Sequence, residues 1–234
     1  LIFYVYQINL KCNFNLATYI QNGGKTVMKL LFFDTETTSI KPGSICQLSY
    51  ITVDASVKPQ VTTGKNFFFT VDEMDPSAQE VHGFSLEKLY ELSEGQYFED
   101  LAFDFINDFK EADFIIGHNV NFDIRFLKHE LLTLGELFEP KNTFCTMAYY
   151  KNICKIPKPN GEIKNPKLSE VIDWLNISEK QIAETSEKLF EGSGNYHDAR
   201  FDTAATYLTV IEGLKKRYIP RGYFSNLLKK QENL

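Results

Sequence analysis

"FFDTETT", residues 32–38, is the stretch on which the reading of this chain turns. The run Lys29, Leu30, Leu31, Phe32, Phe33 leads straight into two acids one residue apart, Asp34 and Glu36. A buried apolar run reads as a strand, and side chains alternate faces along a strand, so positions 34 and 36 point the same way. Two carboxylates then share one side of a strand end, where they repel and one tends to keep its proton unless a cation neutralises them. A plain strand ending in a polar turn would leave the same mark in a chain with 31 acids, so the rest of the sequence must supply partners.

Outward from that strand, residues 45–53 and 66–71 read as two more, rich in β-branched and aromatic residues and separated by polar turns. Three strands in succession suggest an antiparallel meander. The period then changes. Phe98, Leu101, Ala102, Phe105, Ile106 and Phe109 fall at helical spacing with acids on the remaining surface, which predicts an amphipathic helix over about 97–110. "DFIIGHN" reads as a short strand running into a polar turn, "NFDIRFLKHELLTL" as a helix and "TFCTM" as a fifth strand. Residues 152–166 hold three prolines and a glycine and read as a loop. Helical spacing returns at Leu168, and "EGSGN" at 191–195 reads as a flexible break before a last long helix. Strands first, then strand and helix alternating, indicate an α/β fold with a mixed five-stranded sheet flanked by helices.

The totals set bounds. A chain of 234 residues suits one domain with appendages, and 43% hydrophobic with 24% charged content is ordinary for a globular protein. Cys12, Cys46, Cys145 and Cys154 form no C-x-x-C pair, which disfavours a zinc site or a disulfide framework and suggests a reducing cytoplasm. No apolar run reaches the roughly 18 residues of a membrane span. The net charge of −6 argues against holding a polyanion by bulk electrostatics. Its distribution is uneven: residues 72–113 carry 13 acids against two bases, 151–167 carry five Lys and one Glu, and 215–230 carry six bases and no acid. A nucleic acid would approach the later segments, although solvation alone would also explain them. The first Met is Met28, and the residues before it match neither a span nor a secretion signal. The expected layout is an extension over 1–27, a domain over 28–215 and a basic tail over 216–234.

Two further stretches join the opening acids. In "GHNVNFDIRFL", Asp123 sits in the first turn of a helix leaving a strand end, where the helix dipole favours an acid on structural grounds alone. In "HDARFD", His197 precedes the last long helix and Asp202 lies beside Phe201 at the edge of its buried stripe, so it needs a counter-charge. Asp34, Glu36, Asp123 and Asp202 thus form four acids at the ends of three elements. Two divalent cations would relieve their repulsion, and hard oxygen donors select Mg²⁺ or Mn²⁺ over zinc. Such a pair, about 4 Å apart, stabilises the attacking and departing oxygens of phosphodiester cleavage. His197 would take a proton from the attacking water.

"FFDTETT", "GHNVNFDIRFL" and "HDARFD", in this order and at these separations, resemble the three motifs of the DEDDh (DnaQ-like) exonuclease superfamily, which includes the proofreading epsilon subunit of bacterial DNA polymerase III; "VHGFS" at 81–85 matches a further family segment. The resemblance covers about residues 28–215. It implies a ribonuclease H-like fold and the removal of 5′-mononucleotides one at a time from a 3′ end. It also implies that Asp34, Glu36, Asp123 and Asp202 hold the metals, with His197 as general base. Thr37, Thr38, His82, Phe84, Asn119 and Phe122 would cradle the terminal nucleotide, since base stacking on aromatic faces tolerates any sequence. Ser39 stands where many members have Gly, and Cys145 where relatives often have Asp, which leaves substrate preference open. The leading expectation is a DNA 3′–5′ exonuclease acting on single-stranded or frayed ends, alone or beside a DNA polymerase partner. The alternatives are an RNA 3′-end trimming enzyme of the RNase T or oligoribonuclease type, and a catalytically silent nucleic-acid-binding module.

Overall fold

The computed structural model describes residues 28–57, 60–192 and 194–231. The expected extension over 1–27 lies outside them. The three-strand start is an antiparallel meander: β1 (Lys29–Thr37) pairs with β2 (Ile45–Asp54), and β2 pairs with β3 (Val61–Phe68). Two parallel strands follow on the other side of β1, β4 (Phe114–Gly117) and β5 (Thr143–Cys145), giving the sheet order β3-β2-β1-β4-β5. β1 is therefore central, with an antiparallel neighbour on one side and a parallel one on the other.

The alternation of β1 sorts its residues between two cores. Leu31 and Phe33 face α3 (Phe98–Glu111) and α4 (Val120–Thr133), whose Phe105, Phe109, Phe126 and Leu127 are almost wholly buried against them. Leu30 and Phe32 face the opposite layer, formed by α7 (Glu179–Phe190), α8 (Ala199–Lys215) and α9 (Tyr223–Gln231), through Leu189, Tyr207, Val210 and Phe224. Two short helices, α1 (Pro76–His82) and α2 (Leu86–Leu92), lead from β3 to α3. On the far side α5 (Thr146–Cys154) and α6 (Leu168–Leu175) pack beside α8, with Val171, Ile172 and Leu175 meeting Phe201, Ala204 and Ala205.

Two boundaries differ most from the sequence reading; at a third, Thr146 and Met147, read as strand, instead open α5, which reaches Cys154 inside the stretch read as loop. The third strand was expected over 66–71 but runs Val61–Phe68. Gly64, which looks like a turn signal, lies mid-strand because α7 crosses there: a Cβ at this position would stand 2.5 Å from the Leu189 carbonyl oxygen. After a last bond from the Phe69 N–H to the Cys46 carbonyl of β2 at 3.0 Å the chain leaves the sheet; Thr70 N–H donates to the Gln96 carbonyl at 2.8 Å and Phe69 packs on Phe98. The second difference is at the other end. The basic stretch after 215, expected as a tail outside the domain, is part of the fold: Ile219 and Phe224 are completely buried, and the Phe224 ring meets Phe114 of β4 and Phe144 of β5 edge-on. The Lys and Arg count over 215–230 outweighed a short apolar spacing, Tyr223, Phe224, Leu227 and Leu228, that seats the helix.

Candidate active site

The two opening acids fall at the C-terminal end of β1, on the side that faces α8. Asp34 is in register with Ser49 of β2 and Glu36 with Gln47, so all four side chains lie on one face. α8 brings Asp202 onto the same face: Asp34, Glu36 and Asp202 each offer a carboxylate oxygen, and these oxygens all lie within 4.8 Å of one another. Asp123 arrives by a different route. It belongs to α4, on the opposite layer, and meets the intervening residue of β1: Thr35 donates to one of its oxygens through both its N–H (3.2 Å) and its hydroxyl (2.7 Å). It stands outside the close trio yet near enough that its charge acts on Asp34. Three acids from two elements thus converge, and the fourth is tied alongside them.

The electrostatics are those of a cation site. Burial, reinforced by the charges of Asp123, Asp202 and Glu36, pushes Asp34 well above the usual carboxylate range. Glu36 is raised in the same way by burial and then by Asp202 and Asp123. Burial pushes Asp123 up to about 7 against the two hydrogen bonds from Thr35, and Asp202 up to about 7 against the His197 N–H, which donates to it at 3.1 Å. The other Asp202 oxygen is buried with no hydrogen-bond partner among the described residues. A buried acceptor left unpaired costs about 1–3 kcal/mol, so an oxygen in that state aimed into a carboxylate cluster marks a place for a positive group. Hard oxygen donors of this number and charge fit a divalent cation of the magnesium or manganese type.

His197 sits on an exposed loop directly before α8, with a left-handed backbone (φ +66°) that turns its N–H back onto Asp202. Thr37 and Thr38 are buried where β1 leaves the sheet, and Thr38 N–H donates to the Ser44 carbonyl across the bend. The "VHGFS" segment folds into a compact unit in which the Phe84 N–H donates to His82 Nδ1 at 3.1 Å, the two rings stack at 5.3 Å, and Phe84 meets Phe68 edge-on. Burial lowers the pKa of His82 below its usual range, and the nearby His197 adds to the effect. Asn119 caps α4 in a left-handed conformation (φ +69°), and half-buried Phe122 lies under the Arg125 guanidinium at 5.5 Å. His118 is held structurally, between the Thr146 hydroxyl and the Pro166 carbonyl.

The family model of the RNase T-type exonucleases matches residues 31–210, which takes in β1 and all three acid-bearing stretches. The chain belongs to this exonuclease family. Its curated relatives include the DNA polymerase III epsilon subunits of Rickettsia conorii (33% identical over 133 residues, 54% of this chain and 56% of the relative) and of Buchnera aphidicola (28% over 125 residues, 51% of each). The chain thus spans about half the length of the curated relatives it matches. In fold it is similar to Escherichia coli exonuclease I solved with a 5cy-dT13 oligonucleotide, with a TM-score of 0.63, 18% identity, and coverage of 87% of this chain and 43% of the other.

Beside the carboxylate cluster stand residues that the sequence reading passed over. Gln47 donates to Asp198 at 3.0 Å and to Asn66 at 2.9 Å, and accepts from the Ala199 N–H at 3.0 Å. Asn66 accepts from Ser49 as well. Arg200 grips Asp198 with two bonds, at 2.9 and 2.6 Å. Polar residues alternating within β2, and an acid and a base inside "HDARFD" itself, were the available signals.

Proposed function

We propose that this chain is a metal-dependent 3′–5′ exonuclease that removes mononucleotides from DNA ends. The observation that carries this reading is the convergence of the Asp34, Glu36 and Asp202 carboxylates within 4.8 Å, with a buried Asp202 oxygen that has no partner among the described residues. Asp34, Glu36 and Asp202 would hold one divalent cation, with Asp34 and Asp123 serving a second. Such ions, when bound, offset the carboxylate charge and stabilise the attacking and departing oxygens at phosphorus.

The chain's own residues do the rest. His197 accepts the proton of the attacking water from its exposed loop; the new P–O bond forms as the bond to the 3′ oxygen breaks, and that oxygen recovers a proton from solvent. The Asp202 bond to the His197 N–H fixes the loop to the carboxylate cluster. Thr37, Thr38 and Asn119 line the approach with hydroxyl, amide and backbone groups, while His82, Phe84 and Phe122 offer ring faces, which hold a base without reading its identity. DNA is favoured over RNA because the matched relatives include polymerase III epsilon subunits and the fold neighbours include an enzyme solved with DNA oligonucleotides. The names of the same relatives support a polymerase partner. Among the described residues no helix is long and apolar enough to cross a membrane.

Labelled single strands of matched DNA and RNA sequence, incubated with Mg²⁺, test the reading. Stepwise shortening of the DNA from its 3′ end is expected, stopped by chelator. Faster shortening of the RNA would move the assignment to RNA trimming. Shortening of neither would leave a binding module.

A further inference from the structure

Next to the carboxylate cluster lies a second polar assembly. The cross-strand rung Glu36–Gln47–Phe68 runs over β1, β2 and β3, and the first turn of α8 sits on it. Gln47 bonds Asp198 and the Ala199 N–H, so the helix start is fastened to the strand next to Glu36. Arg200 then closes on Asp198 from above while its guanidinium rests 5.5 Å over the Phe68 ring. On the outer side the loop after α7 presses against this pair. A Cβ at Gly192 would stand 2.5 Å from Arg200 Nη1, and one at Gly194 would stand 2.4 Å from Asp198 Cγ. Gly194 also has φ +56°, so the glycines of "EGSGN" form a fitted cover rather than a slack break. Tyr196 and His197 lie between this cover and the pair, and the His197 backbone is itself left-handed.

We infer that the Arg200–Asp198 pair, held between Gln47 on one side and Gly192 and Gly194 on the other, is a positioning device that sets where His197 stands relative to the three-carboxylate site. Three constraints meet around one exposed residue. Its N–H is tied to Asp202, the next side chain is fixed by two partners, and the preceding glycines pack so closely on the pair that neither could carry a Cβ without a clash. Neither Arg200 nor Asp198 need touch substrate. Arg200 also neutralises an acid that would otherwise face the carboxylates unpaired.

This inference rests on the exonuclease reading, and a double-mutant cycle separates the two. Arg200→Met keeps the stem and its packing on Phe68 but removes the grip on Asp198. In the full chain with Mg²⁺ and single-stranded DNA, Arg200→Met should lower kcat by about 10- to 100-fold, the scale of a misplaced catalytic group, with KM nearly unchanged. In a His197→Ala background the same substitution should cost less than about threefold, because the residue it positions is gone. Gly194→Ala, which pushes on Asp198 from the loop side, should behave alike and covers the case in which Arg200→Met fails to fold. Equal losses in both backgrounds, or no loss with His197 present, would overturn the positioning role. A wild-type chain that shortens no strand would overturn the exonuclease reading instead.

Discussion

The carboxylate cluster should destabilise the metal-free protein, and Asp202→Asn is the substitution that exposes this. Burial raises Asp202 from 3.8 to about 7, so between those values the folded chain holds a proton there that the unfolded chain has released, and above them the folded chain carries a buried charge. The stability contributed by that proton is fully present below the unfolded value and is lost as pH rises through about 7. Three units at about 1.4 kcal/mol each give an upper figure of about 4 kcal/mol. Asp202 is only half-buried as a residue, and solvent screening brings the expected effect down to about 1–2 kcal/mol. For a protein of this size that is about 3–6 °C in Tm. Asparagine keeps an oxygen for the His197 N–H, so little else is lost. Scanning calorimetry in chelator at about pH 8 should therefore show Asp202→Asn melting higher than wild type. Saturating Mg²⁺ should reverse the order, since a cation at about a hundred times its Kd adds about 2.7 kcal/mol to the wild type alone. A variant that melts lower in chelator and gains as much from Mg²⁺ as wild type would refute the reasoning.

Three other outcomes are expected. His197→Ala should lower kcat by about 10²- to 10⁴-fold while the Mg²⁺-induced rise in Tm survives; loss of that rise would make His197 a ligand rather than a proton acceptor. Because protons and cations compete for Asp123 and Asp202, both pushed up to about 7, activity at subsaturating Mg²⁺ should fall as pH drops through that region, and more Mg²⁺ should move the acid limb lower; a limb indifferent to Mg²⁺ would contradict the shared site. Gly64→Ala should cost about 1–3 kcal/mol in chemical denaturation, because its Cβ would meet the Leu189 carbonyl; an unchanged midpoint would mean that α7 yields.

Much of the fold was legible because one strand is written in an unbroken apolar run and α3 in strict helical spacing, and both signals survive burial. The meander and the mixed sheet followed from three strands in sequence and then alternation, whereas the order that makes β1 central came only from the folded chain. What was hidden is contact between distant parts. Nothing local to Gly64 says that a helix crosses there, and nothing in 216–231 outweighs its positive charge until β4 and β5 provide a groove for Phe224. The site divides in the same way. Asp34 and Glu36 declared their common face through the two-residue period, and "HDARFD" showed that an acid on a buried helix wants company. That Asp123 would come from the opposite layer and reach the site through Thr35 could be read only from the folded chain. The same is true of Gln47, whose bonds to Asp198 and Ala199 span 151 and 152 residues.

The central claim is that separate stretches of the chain converge to hold divalent cations at one strand end, and anomalous diffraction from crystals soaked in Mn²⁺ tests it most directly. The account predicts a peak within bonding distance of the Asp34, Glu36 and Asp202 carboxylates, weakened or lost in Asp202→Asn crystals. Mn²⁺ density elsewhere with none among these three acids would contradict it.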